Sequence, residues 1–313
     1  MSSRINKTTN KKKRKWIKIF LSVFIILFLA LGAYVFSIYN SLNNAVDTMH
    51  QPIKRDKSDK REKDLSLKAA EPFSVLLLGV DERKGDRGRS DSIIVLTVNP
   101  EKNSVKMLSI PRDTRTEIIG KGKQDKINHA YAFGGVEMSM DTVENFLDIP
   151  LDYYVQINME GFKDIVDAVG GVKVQNNLDF TSEGTHFPKG ELTLNGNEAL
   201  KYSRMRKQDP RGDFGRQTRQ RQIIQGVIRE GASLSTLTNY GDIFTALGNN
   251  VKTNLTFDEM VTIQSKYKAA SKDVEQIELK GDGTKINGVY YYQVTEEIRS
   301  NIRSTLRNHL NIK

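Results

Sequence analysis

The chain of 313 residues contains no cysteine, which excludes disulfide bonds, thiolate catalysis and cysteine-based metal sites. This absence is compatible with an exported bacterial domain that folds without oxidative cross-links. Histidine is scarce, and its four residues lie far apart without the spacing of metal ligands. The phosphate-binding loop Gly-x-x-x-x-Gly-Lys-Ser/Thr, the nucleophile elbow and the Ser/His/Asp order of hydrolases are also absent. Nucleotide hydrolysis by such a loop and triad-based acyl transfer are therefore excluded.

Residues 1–18 lack acidic side chains and hold eight cations, which leaves only +2 of the net charge of +10 for the rest of the chain. Residues 19–46 then lack any charge, and the first part of this run is almost wholly apolar. A helix of about 20 apolar residues spans a bilayer, whereas the apolar region of a cleavable signal peptide has about 7–15 residues and a small-residue cleavage site. We therefore predict a cytoplasmic basic tail at residues 1–18 and an uncleaved transmembrane signal-anchor at residues 19–39.

The positive-inside rule places everything after this anchor outside the cell, as in a single-pass type II protein of the cell membrane. Residues 40–71 mix charges of both signs and contain few apolar side chains. This composition is typical of an extended linker. We predict an extracellular stalk at residues 40–71, followed by a folded domain at residues 72–313.

Short apolar runs alternate with helical patterns in that domain. Residues 73–80, 92–99 and 104–110 have the pattern of buried strands, and a turn at residues 99–103 pairs the last two. Further helices are predicted near residues 136–147, 162–169, 257–268 and 295–310, with further strands near residues 150–157, 172–174 and 275–280. Residues 281–288 are predicted to form a hairpin turn. The alternation indicates an α/β fold, with a layered α-β-α single domain around a central mixed sheet.

Two aspartates flank the polar, glycine-rich loop between the first two predicted strands. Asp81 directly follows the first strand and Asp91 directly precedes the second, with Arg89 beside it. Ligands of open sheets collect at loops that leave strand ends, so both carboxylates are expected at one sheet edge. Two such oxygen ligands together with substrate phosphates suit Mg²⁺. Taken alone, two loop aspartates are also ordinary turn residues.

The stretch Tyr202–Gln222 carries seven cations, six of them arginines, against two acids. Because the guanidinium group is a planar fork of five donors, this density suggests a site for phosphate or another multi-oxygen anion. Arg204 and Arg206 alternate as on one face of a strand or extended segment, whereas Arg216 and Gln220 have helical spacing. The alternative is a charged surface exposed to solvent.

Several motifs in combination resemble the LytR-CpsA-Psr family, whose members are membrane-anchored transferases that attach lipid-linked anionic glycopolymers to the bacterial cell wall. The resemblance covers residues 72–247 and is carried by the following segments: Leu-Leu-Leu-Gly-Val-Asp81, Arg89-Ser-Asp91-Ser-Ile, Ser109-Ile-Pro-Arg112-Asp113, Lys126-Ile-Asn-His-Ala-Tyr131, Gly170-Gly-Val, Leu194-Asn-Gly-Asn-Glu198-Ala-Leu-Lys-Tyr202-Ser-Arg204-Met-Arg206 and Asp213-Phe-Gly-Arg216-Gln-x-Arg-Gln220.

The resemblance implies phosphoryl transfer outside the membrane. The donor would be a polymer, with wall teichoic acid as the expected one, linked to a polyprenyl pyrophosphate, and the acceptor a sugar hydroxyl of peptidoglycan. Nucleic acid is not an expected partner, and Mg²⁺ (or Mn²⁺) is the expected cofactor, held by Asp81 and Asp91. The implied catalytic residues are Asp81, Arg89, Asp91, Arg112, Arg204 and Arg206. The implied pyrophosphate-binding residues are Arg89, Arg112, Lys126, Arg204, Arg206, Asp213, Arg216 and Gln220.

Two alternatives use the same residues. A hydrolase would release the polymer or pyrophosphate with water as acceptor, and a non-catalytic lipid-binding protein would regulate the cell envelope. The predicted cytoplasmic tail of 18 residues has no room for a helix-turn-helix, which argues against direct regulation at DNA. The polyprenyl tail of the donor would require an apolar slot between the strand and helix layers.

Overall fold

The computed structural model describes residues 39, 43, 46–55, 57–81, 88–233, 247, 248 and 250–312. The chain divides into two compact units, Met1–Asn44 and Ala45–Lys313, and all elements below belong to the second. The predicted tail and nearly all of the predicted anchor, residues 1–38, lie outside the described residues. Within the described ranges, no helix combines the length and the apolar character that a membrane crossing needs.

The strands are β1 (Phe73–Val80), β2 (Ser90–Asn99), β3 (Ser104–Ile110), β4 (Arg115–Ile118), β5 (Lys123–Lys126), β6 (Tyr153–Ile157), β7 (Val172–Asn176), β8 (Phe180–Ser182), β9 (Thr185–Phe187), β10 (Gly190–Leu194), β11 (Val251–Thr253), β12 (Val274–Glu278), β13 (Asp282–Ile286) and β14 (Val289–Gln293). The helices are α1 (His129–Leu147), α2 (Met159–Ala168), α3 (Gly196–Arg204), α4 (Asp213–Ser233), α5 (Phe257–Lys266) and α6 (Glu296–His309).

A six-stranded mixed sheet in the order β11-β6-β1-β2-β3-β12 forms the centre of the unit. Strands β1, β2 and β3 are antiparallel neighbours, and the turn between β2 and β3 contains Asn103 in the left-handed region with φ 49°. Strand β6 lies parallel to β1 and β12 lies parallel to β3. Because two parallel neighbouring strands cannot be joined by a tight turn, the chain must cross over before it forms β6 beside β1. Helix α1 lies in this crossover, between β3 and β6. The predicted mixed sheet is confirmed.

Helices cover both faces of this sheet. Leu76 and Leu78 of β1 pack in one buried cluster with Phe146 of α1 and Leu306 of α6. Successive side chains of a strand point to opposite faces, so Val75 belongs to a second cluster, against which side chains of α4 and α5 pack. The predicted α-β-α layering within a single domain is thereby confirmed.

A third cluster lies beside these layers and is made by β7 to β10, α2, α3 and α4. The ring of Tyr202 on α3 packs against those of Phe180 on β8 and Phe187 on β9, with centroids 5.6 and 5.5 Å away. Sequence patterns predicted only the beginning of β7 and did not predict β8, β9 or β10. Each of the last three has five residues or fewer, which is too short for a clear periodic pattern.

The predicted stalk is docked on the domain from residue 46 onward, apart from residue 56, which is outside the described ranges. The Arg55 guanidinium donates to both Glu144 carboxylate oxygens at 2.5 and 2.8 Å. Arg61 donates in the same way to both oxygens of Asp152 at 2.5 and 2.6 Å. Met49 is buried. The mixed charges that suggested a solvated linker are instead complementary to carboxylates of the domain, so the folded unit begins near Ala45.

Several element boundaries differ from the predicted ones, among them those of α1, β6 and β13. Helix α1 begins at His129 rather than at residue 136 and is kinked at Gly135, whose φ is 66°. Strand β6 begins at Tyr153 rather than at residue 150. The segment predicted as a turn at residues 281–288 contains β13, and the turn itself is confined to Asn287 and Gly288, both with positive φ.

Candidate active site

A cavity of about 870 Å³ opens where β1 ends and β2 begins. Its walls come from the face of the sheet that carries α4, from α2 and α3, and from the β8–β9 hairpin. Ligand sites of proteins commonly have volumes of about 300–1,000 Å³, so the cavity has the size of a binding site. Strand β1 closes against β2 at Gly79, where an added Cβ would lie 2.9 Å from the Cβ of Ser92.

The inner part of the cavity is apolar. Apolar residues of strands β1, β2 and β6, of the three surrounding helices and of the segment after α3 line it: Leu77, Ile94, Ile157, Met159, Phe162, Leu200, Met205 and Ile224. Such a lining excludes water and suits a hydrocarbon chain. This is the place, between the strand and helix layers, where an apolar slot for the polyprenyl tail was expected, although the sequence pointed to no particular residues for it.

The mouth of the same cavity is polar and rich in arginine. Of the residues predicted for the site, seven line it: Asp81, Asp91, Arg112, Arg204, Arg206, Arg216 and Gln220. They come from the β1–β2 edge, from the end of β3, from the end of α3 with the segment after it, and from the first turns of α4. Segments up to 139 positions apart thus converge on one opening, from Asp81 to Gln220.

Arg112 is held at the mouth by two carboxylates. Its Nη1 donates to Oδ1 of Asp91 at 2.8 Å, and its Nε lies 3.8 Å from Oδ2 of Asp113. Asp113 in turn accepts a hydrogen bond from Nζ of Lys126 at 2.7 Å. Burial lowers the pKa of Arg112, but the hydrogen bond and charge of Asp91 outweigh it, so the net shift is upward. The guanidinium is therefore a permanent, oriented cation.

Arg216 is more deeply buried and sits among other cations. Its Nη2 lies 2.6 Å from Oδ1 of Asp213, three residues earlier on α4. Burial is the main reason why the pKa of Arg216 is lowered, and the positive charges of Arg112 and Arg206 lower it further. The negative charges of Asp213 and Asp91 raise this pKa but do not outweigh the other effects. Its Nε is buried without a hydrogen-bond acceptor. Because arginine stays protonated in proteins, a bound anion would supply the missing acceptor and offset the repulsion.

The predicted extended segment for Arg204 and Arg206 is wrong for the first of them. Arg204 is the last residue of α3, and Met205 and Arg206 follow outside any helix or strand. Helix α3 forms because Asn195 and Glu198 make a reciprocal capping box at its start. The predicted helical pair is confirmed, since Arg216 and Gln220 both lie on α4 and line the cavity.

Three residues predicted for the site are not among those that line the cavity: Arg89, Lys126 and Asp213. Lys126 and Asp213 contact lining arginines or their partners, as described above. Arg89 accepts a 3.4 Å hydrogen bond at its carbonyl from the backbone N–H of Asp81. Asp91 is the second residue of β2 rather than the residue before it, and it still faces the same edge as Asp81.

Two cations of the arginine-rich stretch have structural partners instead. Arg219 donates to Oδ2 of Asp209 at 2.6 Å and to the Met205 carbonyl at 2.5 Å. Arg221 donates to Oε1 of Gln276 at 3.0 Å. Both guanidinium groups are buried. The cation count of this stretch thus overstates the number of arginines available to an anion.

Two carboxylates at the site could supply part of the coordination of the expected divalent cation. Asp81 and Asp91 both line the mouth, and their donor atoms are carboxylate oxygens, which Mg²⁺ and Mn²⁺ favour. The bond from Arg112 involves only one oxygen of Asp91. In the part of the chain that is described, no group of three or more His, Cys, Asp or Glu residues could hold a metal ion. Water and phosphate oxygens would complete the coordination.

Three polar residues at the site were not predicted from the sequence. Asp113 stands directly after Arg112 and was part of a motif, but a carboxylate beside an arginine gave no separate signal. Ser92 donates to Oε1 of Gln220 at 3.3 Å. Glu183, in the turn between β8 and β9, lies with Oε1 3.4 Å from Nη1 of Arg204. Nothing in the local sequence indicates that this turn reaches the cavity.

The model of the LytR_cpsA_psr family matches residues 35–308. The chain belongs to the LytR-CpsA-Psr family. A curated member, the polyisoprenyl-teichoic acid–peptidoglycan teichoic acid transferase TagU of Bacillus subtilis strain 168, is 55% identical over 300 residues, which are 96% of this chain and 97% of that protein. The predictions of this family and of a transferase are confirmed.

Solved structures of this LytR-CpsA-Psr family have the same fold. The crystal structure of Bacillus subtilis TagU is 56% identical with a TM-score of 0.64, and the alignment covers 78% of this chain and 98% of that one. The structure of TagT bound to LIIa-WTA is 35% identical with a TM-score of 0.73, and the alignment covers 84% of this chain and 100% of that one.

Proposed function

We propose that this protein transfers a teichoic acid from a polyprenyl-pyrophosphate carrier to a sugar hydroxyl of peptidoglycan and forms a phosphodiester link. The observation that carries the proposal is one cavity with an apolar interior and an arginine-lined mouth. A polyprenyl pyrophosphate that carries a polymer has the matching polarity, because its hydrocarbon tail is joined to a pyrophosphate diester with two negative charges. The curated relative named above carries the same activity in its name.

The arginines act by neutralising and orienting charge. Phosphoryl transfer needs positioning and electrostatic stabilisation more than a protein nucleophile. Arg112, fixed by Asp91 and Asp113, and Arg216, with its buried Nε, would bind pyrophosphate oxygens from one side of the mouth. Arg204 and Arg206 would bind them from the other side. The acceptor oxygen then attacks the phosphorus that carries the polymer, and the bond to the polyprenyl phosphate breaks.

Asp81 and Asp91 are the residues that would hold Mg²⁺ or Mn²⁺. When bound, the cation supplies further neutralisation of the pyrophosphate charge. The two carboxylates would otherwise repel the donor, so their position in the mouth favours a role in metal binding over direct contact with phosphate. Catalysis outside the cell membrane, with residues 19–39 as a single anchor, belongs to the same proposal because peptidoglycan is extracellular.

Product analysis tests the proposal and separates its two alternatives. Full-length protein in detergent would be incubated with a lipid-linked polymer fragment, Mg²⁺ and a peptidoglycan oligosaccharide. A transferase forms a covalent polymer–peptidoglycan product. A hydrolase releases polymer equally well without the oligosaccharide, and a lipid-binding regulator binds the donor and leaves it intact. Either of the last two outcomes contradicts the proposal.

The substitution Arg204→Lys tests whether the mouth orients the pyrophosphate or merely attracts it. Lysine keeps the charge but loses the planar fork. A hydrogen bond to a charged group contributes about 1.5–3 kcal/mol, so losing one from the transition state lowers transfer about 10- to 150-fold. Arg229→Lys is the control, because Arg229 is exposed on α4 and bonds to Glu230 and to a backbone carbonyl. Equal transfer rates for Arg204→Lys and wild type at saturating donor, with unchanged melting temperatures, would refute the role of Arg204.

A further inference from the structure

Glu183 occupies a backbone conformation that glutamate rarely adopts. Ser182 pairs with Thr185, so Glu183 and Gly184 form a two-residue turn between β8 and β9. Their φ angles are 47° and 77°, both in the left-handed region. Turns of this kind favour Asn, Asp or Gly at the first of the two positions, because a larger side chain is strained there. Residues with strained backbones cluster at functional sites, so a glutamate at this position indicates that its carboxylate has a function.

Neighbouring elements hold this turn at the cavity mouth. Oγ of Ser182 donates to the Lys201 carbonyl of α3 at 3.1 Å, and Nζ of Lys201 donates to Oγ1 of Thr185 at 3.0 Å. On its other side, the amide of Gln208 donates to the Thr181 carbonyl at 2.7 Å. The turn therefore has a fixed place above the end of α3, where the side chain of Glu183 lines the cavity.

The charged groups around Glu183 come from its hairpin and from the segment that includes α3. Arg204 is the direct partner, at 3.4 Å. Lys201 of α3 bonds to the other strand of the turn, and Lys207 lines the same cavity. The hairpin also carries His186, whose Nε2 is 3.1 Å from Asp179, and both of these side chains are largely exposed. Among the described residues that line the cavity, the carboxylates are Asp81, Asp91 and Glu183.

We propose that Glu183 is the general base that takes the proton from the acceptor hydroxyl. The inference rests on the proposed function, in which Asp81 and Asp91 bind a cation, and Asp91 also accepts a hydrogen bond from Arg112. With their oxygens bound to the cation and to Arg112, these two carboxylates would not be available to accept a proton. Glu183 lines the same cavity, its side chain is half-exposed, and its partner is Arg204 rather than either aspartate.

Donor binding would prepare this base. The pyrophosphate competes with the Glu183 carboxylate for the Arg204 guanidinium, so binding moves Arg204 from carboxylate to phosphate. Glu183 then accepts the hydroxyl proton while the acceptor oxygen forms its bond to the polymer-linked phosphorus. The phosphorus–oxygen bond to the carrier breaks, and polyprenyl phosphate leaves with the electron pair. The proton remains on Glu183 until it is lost to water.

The test compares Glu183→Gln with the control Glu191→Gln, which changes an exposed residue of β10. General-base catalysis contributes typically about 10²–10⁴-fold, so transfer by Glu183→Gln should fall by at least 100-fold. Binding of the lipid-linked donor should be unchanged or tighter, because the competitor for Arg204 is gone. The wild-type single-turnover rate should fall in acid, and Glu183→Gln should lose this acidic limb. Glu183→Asp should retain part of the activity.

The inference is overturned if Glu183→Gln transfers polymer at the wild-type rate. It is also overturned if Glu183→Gln keeps the acidic limb and merely weakens donor binding, since Glu183 would then only position Arg204. Absence of transfer by the wild-type protein would instead contradict the proposed function itself. Glu183→Asn fits the turn without strain, so it should lose activity while its melting temperature stays equal or rises; a lower melting temperature would refute the argument from strain.

Discussion

The buried pair of Asp209 and Arg219 predicts a large and specific loss of stability when its carboxylate is removed. The side chains of both residues are only 5% exposed, and Nη1 of Arg219 lies 2.6 Å from Oδ2 of Asp209. Arg219 also donates to the Met205 carbonyl at 2.5 Å, and Oδ1 of Asp209 accepts from the Arg211 N–H at 2.8 Å. The pair thus ties the segment that carries Arg206 to helix α4.

Asp209→Ala leaves the guanidinium of Arg219 buried without its counter-charge. Breaking a buried pair by removing one partner costs about 3–5 kcal/mol in the free energy of unfolding. Replacing both partners by apolar residues is often close to neutral, since no charge then remains in the interior. The double variant Asp209→Ala/Arg219→Met should therefore be more stable than Asp209→Ala alone, although it still lacks the hydrogen bond to Arg211, worth about 1 kcal/mol.

Urea unfolding followed by far-ultraviolet circular dichroism at pH 7 measures these differences. Asp179→Ala is the control, because its pair with His186 is largely exposed and should contribute less than about 0.5 kcal/mol. A loss below 1 kcal/mol for Asp209→Ala, or a double variant less stable than the single one, would refute the reasoning about burial.

The same pair gives a prediction for pH. Burial raises the pKa of Asp209, but the hydrogen bond and charge of Arg219 outweigh it and hold the pKa below its ordinary value. The stability that ionised Asp209 contributes is therefore present above its unfolded pKa and is lost as pH falls through its folded pKa. The difference between wild type and Asp209→Ala should accordingly shrink in acid, and a difference that stays constant would contradict this assignment.

Three further predictions concern the metal, the topology and the packing of glycines. Asp81→Ala and Asp91→Ala should weaken Mn²⁺ binding and Mg²⁺-dependent transfer far more than folding, and wild-type activity of both across a Mg²⁺ titration in chelator-treated buffer would contradict the metal proposal. A reporter fused after Lys313 should be active outside the cell, and cytoplasmic activity would contradict the anchor. Gly196→Ala should destabilise the protein by about 1–3 kcal/mol, because its Cβ would lie 2.3 Å from a backbone oxygen of α2. Gly231→Ala should stabilise α4 by up to about 1 kcal/mol, because its Cβ would meet no atom nearer than 3.8 Å; unfolding in urea would measure both, and equal signs would refute the packing argument.

Local patterns predicted the layers of the fold well because they depend on residues close in sequence. The strands at β1, β2 and β3 are long apolar runs, and the turn at Asn103 is marked by its composition. Short strands such as β8 and β9 have three residues each and give no such signal. The docked segment from residue 46 was missed for a related reason: its ion pairs join positions that are 89 and 91 residues apart.

The sequence by itself determined the family, the α/β layering and a set of acidic and arginine residues suited to a phosphate site, because motifs and periodicity are properties of neighbouring positions. Only the tertiary structure decided which of those arginines line the cavity and which pair with a carboxylate of the interior. It buried Arg219 against Asp209 and left Arg204 at the cavity mouth, although both lie in one short stretch of like residues. It also brought Glu183 to Arg204 and joined the apolar interior to the charged opening. The physical reason is that an ion pair or a cavity is fixed by packing between distant elements, and burial in turn decides whether a charge is a structural partner or a binding group.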